Sequence, residues 1–116
     1  MRYKKILAAF VFAVVMSAAA AFAHPPTDIS ASWDKGSGTL SVTAQHPVND
    51  RTKHFIMTMT VMDGNKQVLL KKYTEQPTNA GFSDKVQLKD VKPGDKLTIE
   101  LTCNIMGGAA KELTAQ

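Results

Sequence analysis

Short runs of alternating apolar and polar residues fill the chain from residue 29 onward, and turn-forming residues separate them. A period of two is the pattern of a half-buried β-strand, whereas an amphipathic helix repeats every three to four residues. The predicted strands cover residues 29–33, 40–44, 55–61, 67–73, 82–88, 97–103 and 111–115. Seven short strands at spacings of about 8 to 12 residues predict an all-β fold, an immunoglobulin-like antiparallel β-sandwich.

Turn residues and side-chain phase add detail to this prediction. Asp63-Gly64-Asn65 predicts a hairpin and Lys92-Pro93-Gly94-Asp95 a proline-initiated turn, because glycine and asparagine tolerate positive φ. Alternation from Phe55 places Met57 and Met59 on the inward face of the third strand. Gly107-Gly108 is expected to end the sixth strand before a last short one begins.

The first 23 residues have the layout of a cleavable secretory signal. Basic residues at positions 2, 4 and 5 precede an apolar run, and the segment ends in Ala21-Phe22-Ala23. Cleavage after Ala23 would leave His24 first, in a single mature domain of residues 24–116 that is periplasmic or secreted. The apolar run is shorter than the roughly 20 residues of a membrane helix, and no second one follows, so no membrane span is expected after cleavage.

The charge of the mature segment argues against nucleic acid as a partner. Three of the 14 basic residues lie in the signal, which leaves 11 against 10 acidic ones, so the high isoelectric point comes mostly from the signal. The only arginine after the signal is Arg51. A nucleic-acid interface needs a clustered basic face, which this composition lacks.

Four residues with metal-binding chemistry lie at predicted strand ends or at the start of the mature chain: His24, His46, His54 and Cys103. Cys103 is the only cysteine, so it forms no disulfide within the chain. It is either a small buried hydrophobic residue or a metal ligand. Imidazole and thiolate together suit iron, copper or zinc, and loops at one end of a sandwich can bring them together.

The motifs His24-Pro25-Pro26, His46-Pro47, His54-Phe55-Ile56 and Cys103-Asn104 resemble those of the iron domain of the superoxide reductase family, also called desulfoferrodoxin or neelaredoxin. The resemblance covers nearly all of residues 24–116. It implies a mononuclear iron site with the three histidines as ligands and the cysteine as axial ligand. It also implies superoxide as substrate and an electron-donor protein as partner.

Two positions depart from the family pattern. Met106 stands where the family motif Cys-Asn-x-His-Gly has a fourth histidine, and its thioether is the candidate fifth ligand. The lysine that precedes the family's first histidine is replaced by Ala23, and the sequence offers no evident substitute. Superoxide reductase activity is therefore left undecided by the sequence.

Other functions stay open beside this one. Two histidines, a cysteine and a weakly bound methionine form the ligand set of blue-copper sites, and a cleaved His24 would add its α-amino nitrogen, so copper is the alternative metal. The chain can also be a degenerate member that binds no metal. His46-Pro47, His54-Phe55-Ile56 and the segment 92–96 resemble the immunoglobulin-like subunit of the periplasmic sulfur-oxidation carrier complex, which would make the protein a partner-binding module.

Overall fold

The computed structural model describes residues 24–116, and all of its regular elements are strands. They are β1 (Thr27–Asp34), β2 (Thr39–Gln45), β3 (Ile56–Asp63), β4 (Lys66–Lys72), β5 (Gly81–Gln87), β6 (Lys96–Cys103) and β7 (Gly108–Thr114). No helix within residues 24–116 is long and apolar enough to cross a membrane. The predicted signal peptide, residues 1–23, lies outside the described residues and stays a prediction.

The strands form two antiparallel sheets, one with the order β1-β2-β5 and the other with the order β4-β3-β6-β7. The chain crosses between the sheets after β2, after β4 and after β5. This arrangement confirms the predicted all-β sandwich of seven strands.

The inward faces of both sheets form one apolar core. The alternation predicted it, because every second side chain of a strand points to the same face. The buried apolar residues are Leu40, Val42, Ala44, Ile56, Met59, Val61, Phe82, Val86, Leu88, Leu97, Ile99, Leu101 and Ala115.

Both predicted turns are present. Gly64 has a φ of 59° between β3 and β4, and Gly94 has a φ of 92° in the turn before β6. Asp95 N donates to the carbonyl of Lys92 at 3.0 Å, which closes that turn. Glycine is suited to both positions because a side chain strains a backbone with positive φ.

The predicted phase of β3 was wrong at its start. Ile56 pairs with Cys103 and Thr58 with Thr102, so Met57 is the extra residue of a β-bulge. Met57 is 39% exposed, whereas Ile56 and Met59 are fully buried. A bulge shifts the alternation by one residue, which sequence alternation alone does not show.

The start of β7 also differs from the prediction. Gly108 does not separate the strands but begins β7, where it pairs with Thr102. Only Gly107, with a φ of 75°, belongs to the turn. A Cβ on Gly108 would lie 2.8 Å from the carbonyl oxygen of Leu101, so a glycine is needed there for close strand pairing.

The antiparallel registers bring the end of β2, the start of β3 and the end of β6 to one end of the sandwich. Ile56 at the start of β3 pairs with Cys103 at the end of β6. Thr27 at the start of β1 pairs with Gln45 at the end of β2. The segments that carry the predicted ligands therefore meet at this end.

Candidate metal centre

His46, His54 and Cys103 form a cluster at this end of the sandwich. One ligand atom from each lies within 4.8 Å of the other two. His46 follows the last residue of β2, His54 is two positions before the first residue of β3, and Cys103 ends β6. His46 and Cys103 are buried and His54 is partly buried. Three strand ends from both sheets thus place two imidazoles and a thiol around one point.

The spacing of His54 and Cys103 fits a shared metal ion. Their Nε2 and Sγ atoms are 3.1 Å apart. Metal–nitrogen bonds of about 2.1 Å and metal–sulfur bonds of about 2.3 Å, taken at a right angle, separate the two ligand atoms by about 3.1 Å. The separation is therefore compatible with two ligands of one ion, and it is also that of a hydrogen bond between the ring and the sulfur.

Gln76 determines which nitrogen of His46 faces the cluster. Its Oε1 is hydrogen-bonded to His46 Nδ1 and accepts a bond from the backbone N–H of Ile56 at 3.0 Å. Its Nε2 donates to the carbonyl oxygens of His46 and Thr78 at 3.1 and 3.2 Å. Because Oε1 is the acceptor, Nδ1 must carry the hydrogen, and Nε2 of the neutral ring has a free lone pair. This is the orientation that a metal-binding histidine requires.

The free nitrogen of His46 faces another electron-rich atom. His46 Nε2 lies 3.1 Å from the backbone carbonyl oxygen of His24. Two acceptors do not attract each other, so either a proton on Nε2 or a bound cation is needed to make the contact favourable. His46 is 0% exposed, so bulk water does not relieve it. The residues present therefore fit a metal ion.

The position of Cys103 also suits a metal ligand. Its side chain is 4% exposed and unpaired with another cysteine. Its backbone N–H donates to the carbonyl of Gly107 at 2.9 Å, which closes the loop to β7. Sγ accepts a bond from the N–H of Ile105 at 3.4 Å. These contacts hold the sulfur beside His54, in the position that a metal ligand needs.

The position of His54 depends on Asn104. The side chain of Asn104 accepts a bond from the N–H of Phe55 at 2.9 Å and donates to the carbonyl of Lys53 at 3.0 Å. Its backbone N–H donates to the carbonyl of Phe55 at 3.0 Å. The three bonds attach both neighbours of His54 to the residue that follows Cys103. The two ligands thus share one rigid support.

A turn around Asp50 completes the support of His54. The Asp50 carbonyl accepts bonds from the N–H groups of Lys53 and His54, each at 3.0 Å. Its carboxylate accepts two bonds from Thr52, at 2.9 and 2.6 Å. These bonds from the Thr52 side chain and backbone lower the pKa of Asp50.

The segment 73–80 supports the loop between His46 and His54 from the other side. Arg51 donates through Nη1 to the carbonyl of Gln76 at 2.8 Å, and Gln76 N donates back to the carbonyl of Arg51 at 3.0 Å. Asn79 accepts from Arg51 N at 2.9 Å and from Val48 N at 2.8 Å. The loop is therefore held at several points, although it contains no regular structure.

The protonation of His54 also favours metal binding. Burial, followed by the nearby rings of His46 and His24, lowers its pKa from the ordinary value. Only the neutral imidazole binds a metal ion. The shift therefore makes the ligand form available at lower pH than for an exposed histidine.

His24 lies beside the cluster, but its ring nitrogens contact backbone oxygens. Its ring centroid is 5.0 Å from that of His46 and 5.8 Å from that of His54. Nδ1 is 3.1 Å from the carbonyl oxygen of Pro25, and Nε2 is 3.0 Å from that of Pro47. The structure thus places His24 near the other two histidines, while its role as a ring ligand stays a prediction.

Met106 is on the loop between β6 and β7, and its side chain is 50% exposed. Its neighbour Ile105 is 55% exposed. The thioether is three residues beyond Cys103 on the chain, at the outer side of the same end of the sandwich. Its assignment as a metal ligand stays a prediction.

An open cleft of about 410 Å³ leads from solvent to this site. His24 and His54 line it together with Lys53, Asp50 and Ile105. The cleft gives a small solute access to the exposed side of His54. Lys53 supplies a positive charge beside that access, and Asp50 supplies a negative one.

The sequence reading missed Gln76 and Lys53. Gln76 lies in the irregular segment after β4, where a glutamine is ordinarily exposed, and its complete burial follows only from the packing of two loops. Lys53 immediately precedes His54, so it was visible as a charge next to a predicted ligand. The structure places it in the lining of the cleft beside His54.

Comparison with models of known protein families and with curated proteins finds no match. Among solved structures, a crystal structure of superoxide reductase in the oxidized state aligns with a TM-score of 0.47 at 18% sequence identity. The alignment covers 80% of this chain and 90% of that chain.

Proposed function

We propose that this chain is an exported redox protein that binds one mononuclear metal ion through His46, His54 and Cys103. The observation that carries the proposal is the convergence of these three ligand atoms within 4.8 Å. Iron is the first candidate metal, because the motifs around the three residues resemble those of superoxide reductases.

The support around the ligands agrees with a metal site. Gln76 orients His46, and Asn104 connects the loop of His54 to the end of β6. Hydrogen bonds to the outer nitrogen of a ligand histidine are typical of metal centres and raise the affinity.

Superoxide is the proposed substrate of the iron form. The chemistry that bound iron supplies is the transfer of one electron to superoxide, which takes up two protons and leaves as hydrogen peroxide. A donor protein would return the electron. Lys53 would attract the superoxide anion into the cleft beside His54, and solvent in the open cleft would supply the protons.

Copper is the second candidate, and a specific observation favours it. The clustered donors are two histidines and one cysteine, while both ring nitrogens of His24 contact carbonyl oxygens. Two histidines and a cysteine with a weak methionine are typical of blue-copper electron-transfer sites. Met106 would be that methionine, and the function would then be electron transfer without superoxide reduction.

The decisive experiment is metal analysis of the protein purified from the compartment to which it is exported, followed by titration of the metal-free protein with Fe(II) and with Cu(II). We expect one metal ion per chain and a thiolate charge-transfer band in the visible spectrum of the oxidised form. Cys103→Ser, which preserves the size of the side chain, should abolish the band. Metal-free protein whose spectrum is unchanged by both titrations would refute the proposal.

Superoxide consumption separates the two candidate functions. The reduced iron form should consume superoxide in proportion to an added electron donor, and Lys53→Gln should slow this reaction without changing metal content. A reduced protein that loads only copper and consumes no superoxide would instead support electron transfer.

A further inference from the structure

We propose that the α-amino nitrogen of His24, released by cleavage after Ala23, is a fourth metal ligand, so that only the processed chain has the complete site. This inference rests on the proposed function. In this proposal the ligand atom of His24 is its main-chain nitrogen and not a nitrogen of its ring.

The main chain of His24 is the part that faces the cluster. Its carbonyl oxygen lies 3.1 Å from Nε2 of His46, the nitrogen that Gln76 leaves free for a metal. Only the N–Cα, Cα–C and C=O bonds separate this oxygen from the nitrogen of the same residue, so the two atoms are at most about 3.6 Å apart. An ion that His46 holds beside this oxygen can therefore also bind the amino nitrogen of His24, because the nitrogen and the oxygen of one residue close a five-membered chelate ring with the ion.

The ring of His24 is engaged elsewhere. Its two nitrogens contact the carbonyl oxygens of Pro25 and Pro47 at 3.1 and 3.0 Å. A ring nitrogen that donates to one of these carbonyls holds the ring in the lining of the cleft. The ring thus fixes the position of the residue, and the main chain supplies the donor.

The segment after His24 is rigid enough to present a ligand. Pro25 and Pro26 have restricted φ angles, and Pro26 is fully buried. A Cβ on Gly107 would contact the ring of Pro25 at 3.4 Å, so this segment packs on the loop that follows Cys103. Residue 24 therefore has little freedom to move away from the cluster, and holding a donor in place in advance favours binding.

Cleavage changes the chemistry of this nitrogen. In the uncleaved chain it is part of a peptide bond, and its lone pair is delocalised into the carbonyl group. Once the bond between Ala23 and His24 has been cleaved, this nitrogen is a primary amine, which is a good metal ligand. The precursor would hold the metal with three side chains, whereas the exported protein would hold it with an additional nitrogen.

Three forms of the processed domain test this assignment. The first begins at His24, the second retains Ala23 in front of it, and the third begins at residue 24 with His24→Ala, which keeps the amine and removes the ring. Each is released from a fusion protein by a protease that leaves the required first residue. Circular dichroism and thermal unfolding verify that all three fold alike.

The readouts are Cu(II) affinity by competition with a chelator and the number of nitrogen couplings in the electron paramagnetic resonance spectrum. The form with Ala23 should bind Cu(II) at least about 10-fold more weakly than the form that begins at His24 and lose one nitrogen coupling. The His24→Ala form should retain that coupling and most of the affinity.

Equal affinity and equal couplings in the first two forms would overturn the inference while leaving the metal site intact. A His24→Ala form that loses affinity while the extended form keeps it would assign the ligand to the ring instead. If the form that begins at His24 binds neither Cu(II) nor Fe(II), the proposed function itself fails. Mass spectrometry of the exported protein should give His24 as the first residue, and another first residue would also overturn the inference.

Discussion

The side-chain carbonyl of Gln76 is hydrogen-bonded to Nδ1 of His46, and neither side chain is exposed to solvent. The same oxygen accepts a bond from Ile56 N, so it also connects the end of β2 to the start of β3. One buried amide therefore orients a predicted metal ligand and joins the two sheets. A buried polar group with all of its partners both stabilises and specifies the surrounding structure.

Gln76→Ala should lower both stability and metal affinity. Removing the amide leaves buried groups of His46 and Ile56 without partners, which costs about 1 to 3 kcal/mol for each unsatisfied group. Metal affinity should fall about 10- to 100-fold, because His46 loses the bond that orients it. Urea unfolding of the metal-free protein and chelator competition measure the two effects.

The exposed Gln67→Ala is the control and should change stability by less than about 0.5 kcal/mol. Wild-type metal affinity in Gln76→Ala would contradict this role.

Met106 should matter less than Cys103. A thiolate brings charge and covalency to the ion, whereas a thioether is neutral, and Met106 is half exposed on a loop while Cys103 is buried at the end of a strand. Met106→Ala should therefore weaken metal binding by less than Cys103→Ser does, and it should preserve the visible charge-transfer band. Equal losses in both variants, measured by chelator competition, would show that the methionine is a full ligand.

Met106→His distinguishes the two metals. In an iron site the added imidazole should tighten Fe(II) binding and raise the rate of superoxide reduction. In a copper site it should weaken Cu(I) relative to Cu(II), because a soft ligand has been exchanged for a harder one. Titrations with each ion and the reduction potential of the copper form measure these changes. No change in either affinity would exclude Met106 from the site.

Asn104→Ala should loosen His54 without unfolding the sandwich. The substitution removes the bonds to Phe55 N and to the carbonyl of Lys53, while the backbone bond to Phe55 remains. We expect metal affinity to fall about 10-fold or more, as for other partners of metal ligands. Asn104→Asp, which retains the acceptor, should recover part of the loss. A metal affinity unchanged in Asn104→Ala would show that the loop is held by other contacts.

Asp84 should make folding stability depend on pH in the acid range. Lys71 Nζ and Tyr73 Oη donate to its carboxylate at 2.7 and 2.6 Å, joining β4 and the residue after it to β5 in the other sheet. Partial burial raises the pKa of Asp84, but these bonds outweigh it and hold the pKa below its ordinary value. For the same tyrosine, burial and the bond to Asp84 raise the pKa.

Because the pKa of Asp84 is lowered in the folded state, its contribution to folding stability is fully present above the unfolded pKa of about 3.9. That contribution is lost as the pH falls through the folded pKa. Asp84→Asn should therefore destabilise the protein at pH 7, and the difference from wild type should shrink below about pH 4. Urea unfolding at a series of pH values measures the difference in free energy of unfolding between the two proteins, with the exposed Glu112→Gln as control. A difference that stays constant down to pH 2 would assign the loss to packing.

The sequence determined most of the fold, because strand alternation and turn chemistry are local. The alternation of Leu40, Val42 and Ala44 predicted their shared burial, and Gly64 and Gly94 predicted turns that require positive φ. The alternation did not predict the exposure of Met57, because the bulge depends on how β3 pairs with β6. Pairing between segments that are more than thirty residues apart is not encoded in the local pattern of either one.

The sequence also identified His46, His54 and Cys103 as candidates, because few residue types bind metals and all three stand next to predicted strands. Only the tertiary structure decided that their ligand atoms meet, since 49 residues separate His54 from Cys103 and the β3–β6 register brings them together. The burial of Gln76 could not be predicted from the sequence for the same reason. Its burial depends on the packing of segment 73–80 against the loop after His46, and free energies of burial and hydrogen bonding belong to contacts that exist only in the folded chain.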